Sequence, residues 1–238
     1  MSDTSILSLK NAQIFQADTL ILSDVNLEIN KGEFIYLIGK TGTGKSSLLK
    51  TLYGDIQLKQ GSGLVANFDL ATLTWKTVPM LRRNLGIIYQ DFRLLTDRNV
   101  YENLEFVLKA TGWKDALLIK EKIESVLQKV GLKNKGFKMP YEMSGGEQQR
   151  LSMARVFLKQ ARWVFADEAT SALDEALEQA MYEKLLAMVS ANRGALVSVA
   201  HRPSVAAFHN QQWVFGVAPV GSSAKFAISF SASSATNP

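Results

Sequence analysis

Gly39-Lys40-Thr41-Gly42-Thr43-Gly44-Lys45-Ser46 fills every fixed place of the pattern G-x-x-x-x-G-K-[ST]. Its flanks fit the pattern too. Glu33-Phe-Ile-Tyr-Leu-Ile38 before it is a short apolar run of strand type, and Lys45-Ser-Ser-Leu-Leu-Lys50 after it looks helical. A glycine-rich turn between strand and helix points successive backbone N–H groups inward, with the positive end of the helix behind them, and so cradles phosphates. In that arrangement the Lys45 ammonium reaches the β- and γ-phosphates and the Ser46 hydroxyl ligates Mg²⁺, with Ser47 beside it. Residues Gly39 to Ser47 are therefore expected to bind a nucleoside triphosphate.

Working outward, residues 6–30 read as a hairpin-like pair of strands. Ile6-Leu-Ser-Leu9 and Leu20-Ile-Leu22 through Val25-Asn-Leu-Glu-Ile29 alternate partly between apolar and polar, which suits an antiparallel edge. Leu85–Tyr89, Trp163–Ala166 and Ala195–Ala200 are further short strand candidates. Residues 100–131 place Leu104, Leu108, Ile119, Ile123, Val126 and Leu127 at helical spacing around a break at Gly112, and Leu173–Ser190 also has a helical pattern. Strands alternating with helices predict a mostly parallel sheet, with a helical insertion near 92–140 hung on it. The Ser- and Ala-rich end, 217–238, reads as a tail with one short strand candidate, Phe226–Phe230, and is expected to be either disordered or an expendable terminus.

Two further motifs carry chemistry. Trp163-Val-Phe-Ala-Asp167-Glu168 is an apolar strand ending in two carboxylates. Alternation along an extended chain sends the two side chains opposite ways, so they can hold separate tasks. Asp167 would approach the metal and Glu168 would orient or deprotonate an attacking water. Ser144-Gly145-Gly146-Glu147-Gln148 has the S-x-x-E spacing of a capping box, with Leu151, Ala154 and Leu158 following on one helix face. The two glycines bare the backbone N–H groups, making a second anion site at a helix start. A second phosphate reader makes sense if it faces the nucleotide of another copy of the chain. His201 follows an apolar strand and is expected at the carboxyl edge of the sheet, where ligands sit. His209 has no such placement and is expected at the surface.

In this order the motifs resemble those of ABC-type ATPase subunits, over residues 6 to about 215. The resemblance implies an α/β fold: a RecA-like P-loop core with an antiparallel β subdomain and an inserted α-helical subdomain, the ABC ATPase fold. It implies one domain over 1–216, with the helical subdomain within about 92–160. It also implies a head-to-tail homodimer that sandwiches ATP and Mg²⁺. Phe15 resembles the aromatic that stacks on adenine, and Gly39 to Ser46 match the Walker A loop. Gln90 matches the glutamine that contacts Mg²⁺ and the attacking water and senses a transmembrane partner. Ser144 to Gln148 match the signature motif, and Asp167 with Glu168 match Walker B and the catalytic base. Asp174, in Ser171-Ala-Leu-Asp174, matches the D-loop, and His201 matches the switch histidine at the γ-phosphate.

Within the family, Ile87 to Asn103, Leu127 to Leu132 and Met143 to Arg150 resemble the cell-division type FtsE. The last third departs from it. Glu168-Ala-Thr-Ser-Ala-Leu-Asp174 and Val197-Ser-Val-Ala-His-Arg202 resemble the ATPase domains of fused exporters, which points to a junction between two family members near residues 155–165. The implied function is ATP binding and hydrolysis powering a separately encoded membrane protein, FtsX-like in cell division. The alternatives are an exporter, a lipoprotein-release or import system, or a chimeric ATP-binding protein without a physiological partner.

Composition agrees with that reading. The 238 residues are 47% hydrophobic and 21% charged, enough for an ordinary core. With no Cys, disulfides and thiolate metal sites are excluded. No signal-like leader opens the chain and no apolar run reaches the roughly 18 residues of a membrane span, so a cytoplasmic protein peripheral at the inner membrane face is expected. The net charge of +5 comes from residues 1–160. Its Lys and Arg are scattered without a basic tract or interleaved aromatics, so they read as a solvated face first and an attraction to the anionic leaflet second, with no nucleic acid expected.

Overall fold

The structure, a computed structural model, describes residues 5–200 and 202–232. It begins with the expected hairpin, β1 (Ser5–Gln16) and β2 (Thr19–Asn30), paired antiparallel with Leu9 opposite Leu27 and Ala12 opposite Val25. Val25, Leu27 and Ile29 face inward while Asp24, Asn26 and Glu28 face out, the period of two that the alternation predicts. Then follow β3 (Phe34–Gly39), α1 (Lys45–Leu52), β4 (Gln60–Val65), β5 (Phe68–Asp69), α2 (Val78–Arg83) and β6 (Leu85–Ile88). The helical part comprises α3 (Val100–Ala110), α4 (Ala116–Lys129) and α5 (Gly145–Lys159). After it come β7 (Trp163–Asp167), α6 (Glu175–Ala191), β8 (Ala195–Val199), β9 (Gln211–Val217) and β10 (Phe226–Ala232).

All ten strands form one sheet in the order β5-β4-β1-β2-β10-β9-β3-β8-β7-β6. The stretch from β9 to β6 is parallel, and β1, β2, β4 and β5 pair antiparallel. The order puts β3 inside the parallel part, so the glycine-rich loop leaves the sheet at its carboxyl edge between β8 and β9. One face of the sheet packs with α3 to α6 through Leu104, Leu108, Ile119, Ile123, Leu151 and Phe157. The other encloses α1 and the antiparallel layer through Leu22, Leu48, Leu49, Leu52 and Trp213. Each of these side chains, removed from water, contributes about 1.5–3 kcal/mol. Asn99 and Asp115 cap the starts of α3 and α4, and Gly112 turns the chain between them at φ +98°.

Two expectations are corrected. Part of the expected tail belongs to the fold: the strand candidate Phe226–Phe230 lies in β10, which pairs along its length with β9 and so sits inside the sheet, while residues 233–238 lie outside the described residues. β9 itself went unread. Its alternation is confined to Trp213 and Phe215, which are buried, while two glutamines and Gly216 blur the rest. His209 is not at the surface; it is 2% exposed, stacked 5.3 Å from the Tyr36 ring and edge-on to Tyr182. Its Nδ1 lies 2.8 Å from the Val205 carbonyl.

Burial pushes the His209 pKa down to about 4, so the folded protein holds it neutral. Stability from this group is therefore complete above the unfolded pKa of about 6.5 and is lost as pH falls toward 4. Urea unfolding should show a loss of about 2–3 kcal/mol between pH 7.5 and about 4.5 that is absent in His209→Phe. Equal losses in both proteins would contradict the burial of a neutral histidine.

Candidate functional site

The loop after β3 can take its shape because glycines stand where side chains cannot. Gly39 has φ +155°, and a Cβ there would come 2.7 Å from the Phe215 carbonyl oxygen of β9. Gly44 has φ +97°, and a Cβ there would meet Ile21 Cγ2 of β2 at 2.7 Å. Between them, Thr43 N–H and its hydroxyl both donate to the Lys40 carbonyl, closing the turn. Lys45, 6% exposed at the start of α1, donates from Nζ to the carbonyls of Gly39 at 2.6 Å and Lys40 at 2.9 Å. Burial lowers its pKa, opposed by the carboxylates of Glu168 and Asp167.

At the end of β7 the two acids part. Asp167 is buried and accepts a hydrogen bond from the Ser46 hydroxyl at 3.1 Å; burial raises its pKa, against the pull of that bond. Glu168 turns away because its backbone is left-handed, φ +49°, with its N–H held by the Val199 carbonyl. The parting therefore comes from a left-handed residue beyond the strand, and strand alternation alone does not account for it. Gln90, just beyond β6, donates from Nε2 to Glu168 Oε2 at 3.1 Å.

These residues enclose a cavity of about 200 Å³. Thr41, Gly42, Gly44, Lys45, Ser46, Ser47, Gln90 and Glu168 line it together with Gln16 and Lys50, which sequence reasoning missed. Lys50 was findable, since it follows Ser46 by one helical turn on α1. Gln16, at the hairpin turn, carried no signal. Phe15 precedes it, half buried, with the Lys59 ammonium 5.6 Å from its ring centre. His201 lies outside the described residues.

Ser144 starts α5 with the expected capping box. Its hydroxyl accepts from Glu147 N–H, and Glu147 accepts from Ser144 N–H at 2.9 Å. That backbone bond, with Lys135 at 3.2 Å, lowers the Glu147 pKa. Gly145 and Gly146 run beside the 171–174 loop; a Cβ on Gly146 would sit 3.0 Å from the Ala172 carbonyl oxygen. Asp174 caps α6 by accepting from Leu177 N–H. This group stands outside the lining of the Lys45 cavity.

A second hollow, about 430 Å³, runs between α2 and α3 with Phe106, Val107 and Ala110 on one side and Pro79 on the other. The described residues lining it include the cations Arg82, Arg83, Arg155 and Lys159 and no carboxylate. Burial lowers Arg155 to about 10 and Lys159 to about 8.

Compared with known proteins, residues 22–171 match the sequence pattern of the family described as "ABC transporter". The chain is 40% identical over 156 residues to the cell division ATP-binding protein FtsE of Streptococcus pneumoniae, covering 66% of this chain and 67% of that protein. It is 32% identical over 201 residues to the methionine import ATP-binding protein MetN of Clostridium tetani, covering 84% of this chain and 63% of that one. Among solved structures, the ATP-binding cassette MJ0796 in a dimeric post-hydrolysis state bound to ADP and Pi superposes with a TM-score of 0.82 at 25% identity, covering 88% and 94% of the two chains.

The buried charge on Asp167 is a liability to the fold by itself. Asp167→Asn keeps an acceptor for Ser46, so thermal unfolding without nucleotide should shift upward, by about 2–4 °C for each kcal/mol relieved. A lower melting temperature would contradict the raised pKa.

Proposed function

The chain belongs to the ABC transporter family and is an ATP-binding and ATP-hydrolysing subunit of that type, and we propose how its residues divide the work and what they drive. The observation that carries the reading is the meeting of Lys45, Ser46, Gln90 and Glu168 around one cavity, with Gln90 on the Glu168 carboxylate and Asp167 on the Ser46 hydroxyl. Lys45 and the loop amides hold the triphosphate, and Glu168 takes the proton of the attacking water while Gln90 orients it. Phe15 is proposed beside the adenine, Ser46, Gln90 and Asp167 toward Mg²⁺, and His201 at the γ-phosphate. The hydroxyl and the buried carboxylate, 3.1 Å apart, suit a hard cation. Among the described residues no three His, Cys, Asp or Glu gather as a metal cluster, so phosphates and water would complete its shell. Mg²⁺ supplies neutralisation of charge on the phosphates when bound.

Ser144 to Glu147, outside the Lys45 cavity, are assigned to the nucleotide of a second copy, which makes the working unit a head-to-tail dimer with Asp174 at its interface. No helix among the described residues is long and apolar enough to cross a membrane. We assign the membrane work to a separate subunit, FtsX-like by the likeness to FtsE, with a methionine-type importer second by the likeness to MetN. The hollow between α2 and α3, cationic and apolar, suits an acidic, apolar-faced segment of that subunit at the inner membrane face. The proposed junction near 155–165 falls where α5 passes to β7 and leaves every catalytic position of the ATP site filled.

Lys45→Ala should abolish nucleotide binding. Glu168→Gln should still bind ATP and slow turnover about 100-fold or more, while running as a dimer in size exclusion with ATP present. Wild-type turnover in Glu168→Gln would remove Glu168 from the role of base.

A further inference from the structure

Helix α5 reaches both halves of the hydrolytic pair with side chains that touch no part of the cavity. Gln149 is 0% exposed. Its Nε2 donates to the carbonyl of Glu168 itself at 2.9 Å, and its Oε1 accepts from the Ala172 N–H at 2.8 Å. One amide thus bridges the turn that carries the acid to the loop that follows it. A fully buried glutamine is tolerable in an apolar helix face only when both ends of its amide are satisfied, as they are here. Farther along the same helix, Arg155 donates to the Arg93 carbonyl at 2.9 Å and to the Phe92 carbonyl at 2.6 Å.

Both receiving segments are in a backbone region that side chains disfavour. Glu168 has φ +49°, and Phe92 and Arg93 have φ +58° and +45° in succession. Such residues persist where their surroundings over-determine them. The Phe92–Arg93 segment is held from two directions, since Arg93 also pairs with Asp55 at 2.8 Å and lies over the Tyr89 ring. It begins two residues after Gln90, whose amide meets the Glu168 carboxylate.

We propose that Gln149 and Arg155 are positioning residues for hydrolysis: from one helix they fix the Glu168 turn and the Gln90 loop, and so set the carboxylate and the amide at the spacing that places the attacking water. The inference rests on the assignment of Glu168 as the base. Neither side chain lines the Lys45 cavity, so their loss acts on the chemical step and spares ATP binding. A misplacement of about 1 Å in such a pair costs about 100-fold in rate.

The test is steady-state ATP hydrolysis by Gln149→Met, which keeps the side chain's length and removes both hydrogen bonds, with thermal unfolding alongside. The expected result is a kcat lowered about 10- to 100-fold with KM for ATP within about two-fold of wild type. Arg155→Met, which keeps the aliphatic stem and donates to neither carbonyl, should show the same split between kcat and KM and serves if Gln149→Met folds poorly. Combining Gln149→Met with Glu168→Gln should slow the residual turnover no further, because the residue being positioned is already disabled. Unchanged kcat in both variants, a rise in KM matching the whole loss, or losses that multiply in the combined variant would overturn the proposal. A wild-type rate in Glu168→Gln would instead overturn the base assignment. It is distinguishable because a kcat loss in Gln149→Met would still be measured directly.

Discussion

The loop between β3 and α1 must fold its chain through backbone angles that only glycine takes freely, while strands press on it from both sides. Phe215 of β9 closes on Gly39, and Ile21 of β2 closes on Gly44, each nearer than a methyl group would allow. The parallel sheet and the antiparallel layer therefore meet at this turn. Their packing holds Lys45 in a buried position with two carbonyls on its ammonium. A lysine so placed is poorly hydrated, and a polyphosphate is the strong partner that this geometry leaves to it.

The acidic side of the site uses a different device. Asp167 is deep, hydrogen-bonded to Ser46 and electrostatically uncomfortable, which suits a group that is completed by a cation. Glu168 is one residue further on, beyond the strand, in a left-handed turn that faces Gln90. The separation of the two carboxylates follows from this single change of backbone region. α5 joins the pieces. Its first turn bares the amides of Gly145 and Gly146, its middle holds the Glu168 turn, and its end holds the loop after Gln90. In the proposed assignment, one helix reads a neighbour's nucleotide and braces its own acid, which would link assembly of the dimer to the chemistry.

Much of this could be read from the sequence because it is local. The strand–glycine turn–helix order, the apolar stripe of Leu104 to Leu127 and the Ser144–Glu147 cap each depend on residues a few places apart, and each formed as expected. What escaped depends on contacts distant along the chain. β9 becomes a central strand because β3 and β10 flank it, although its own pattern is weak. His209 is buried by Tyr36, far away in the sequence, and no neighbouring residue announces it. Gln149 and Arg155 look like ordinary polar positions of a helix until the turns at 168 and 92–93 are brought against them.

The most direct test of the account is the ATP hydrolysis rate per subunit of the purified protein, measured as its own concentration is raised. A site completed by Ser144 to Glu147 of a second copy predicts a specific rate that climbs with concentration and levels off as dimers saturate. A specific rate that is constant from the most dilute sample upward would contradict it, since each subunit would then hydrolyse ATP alone.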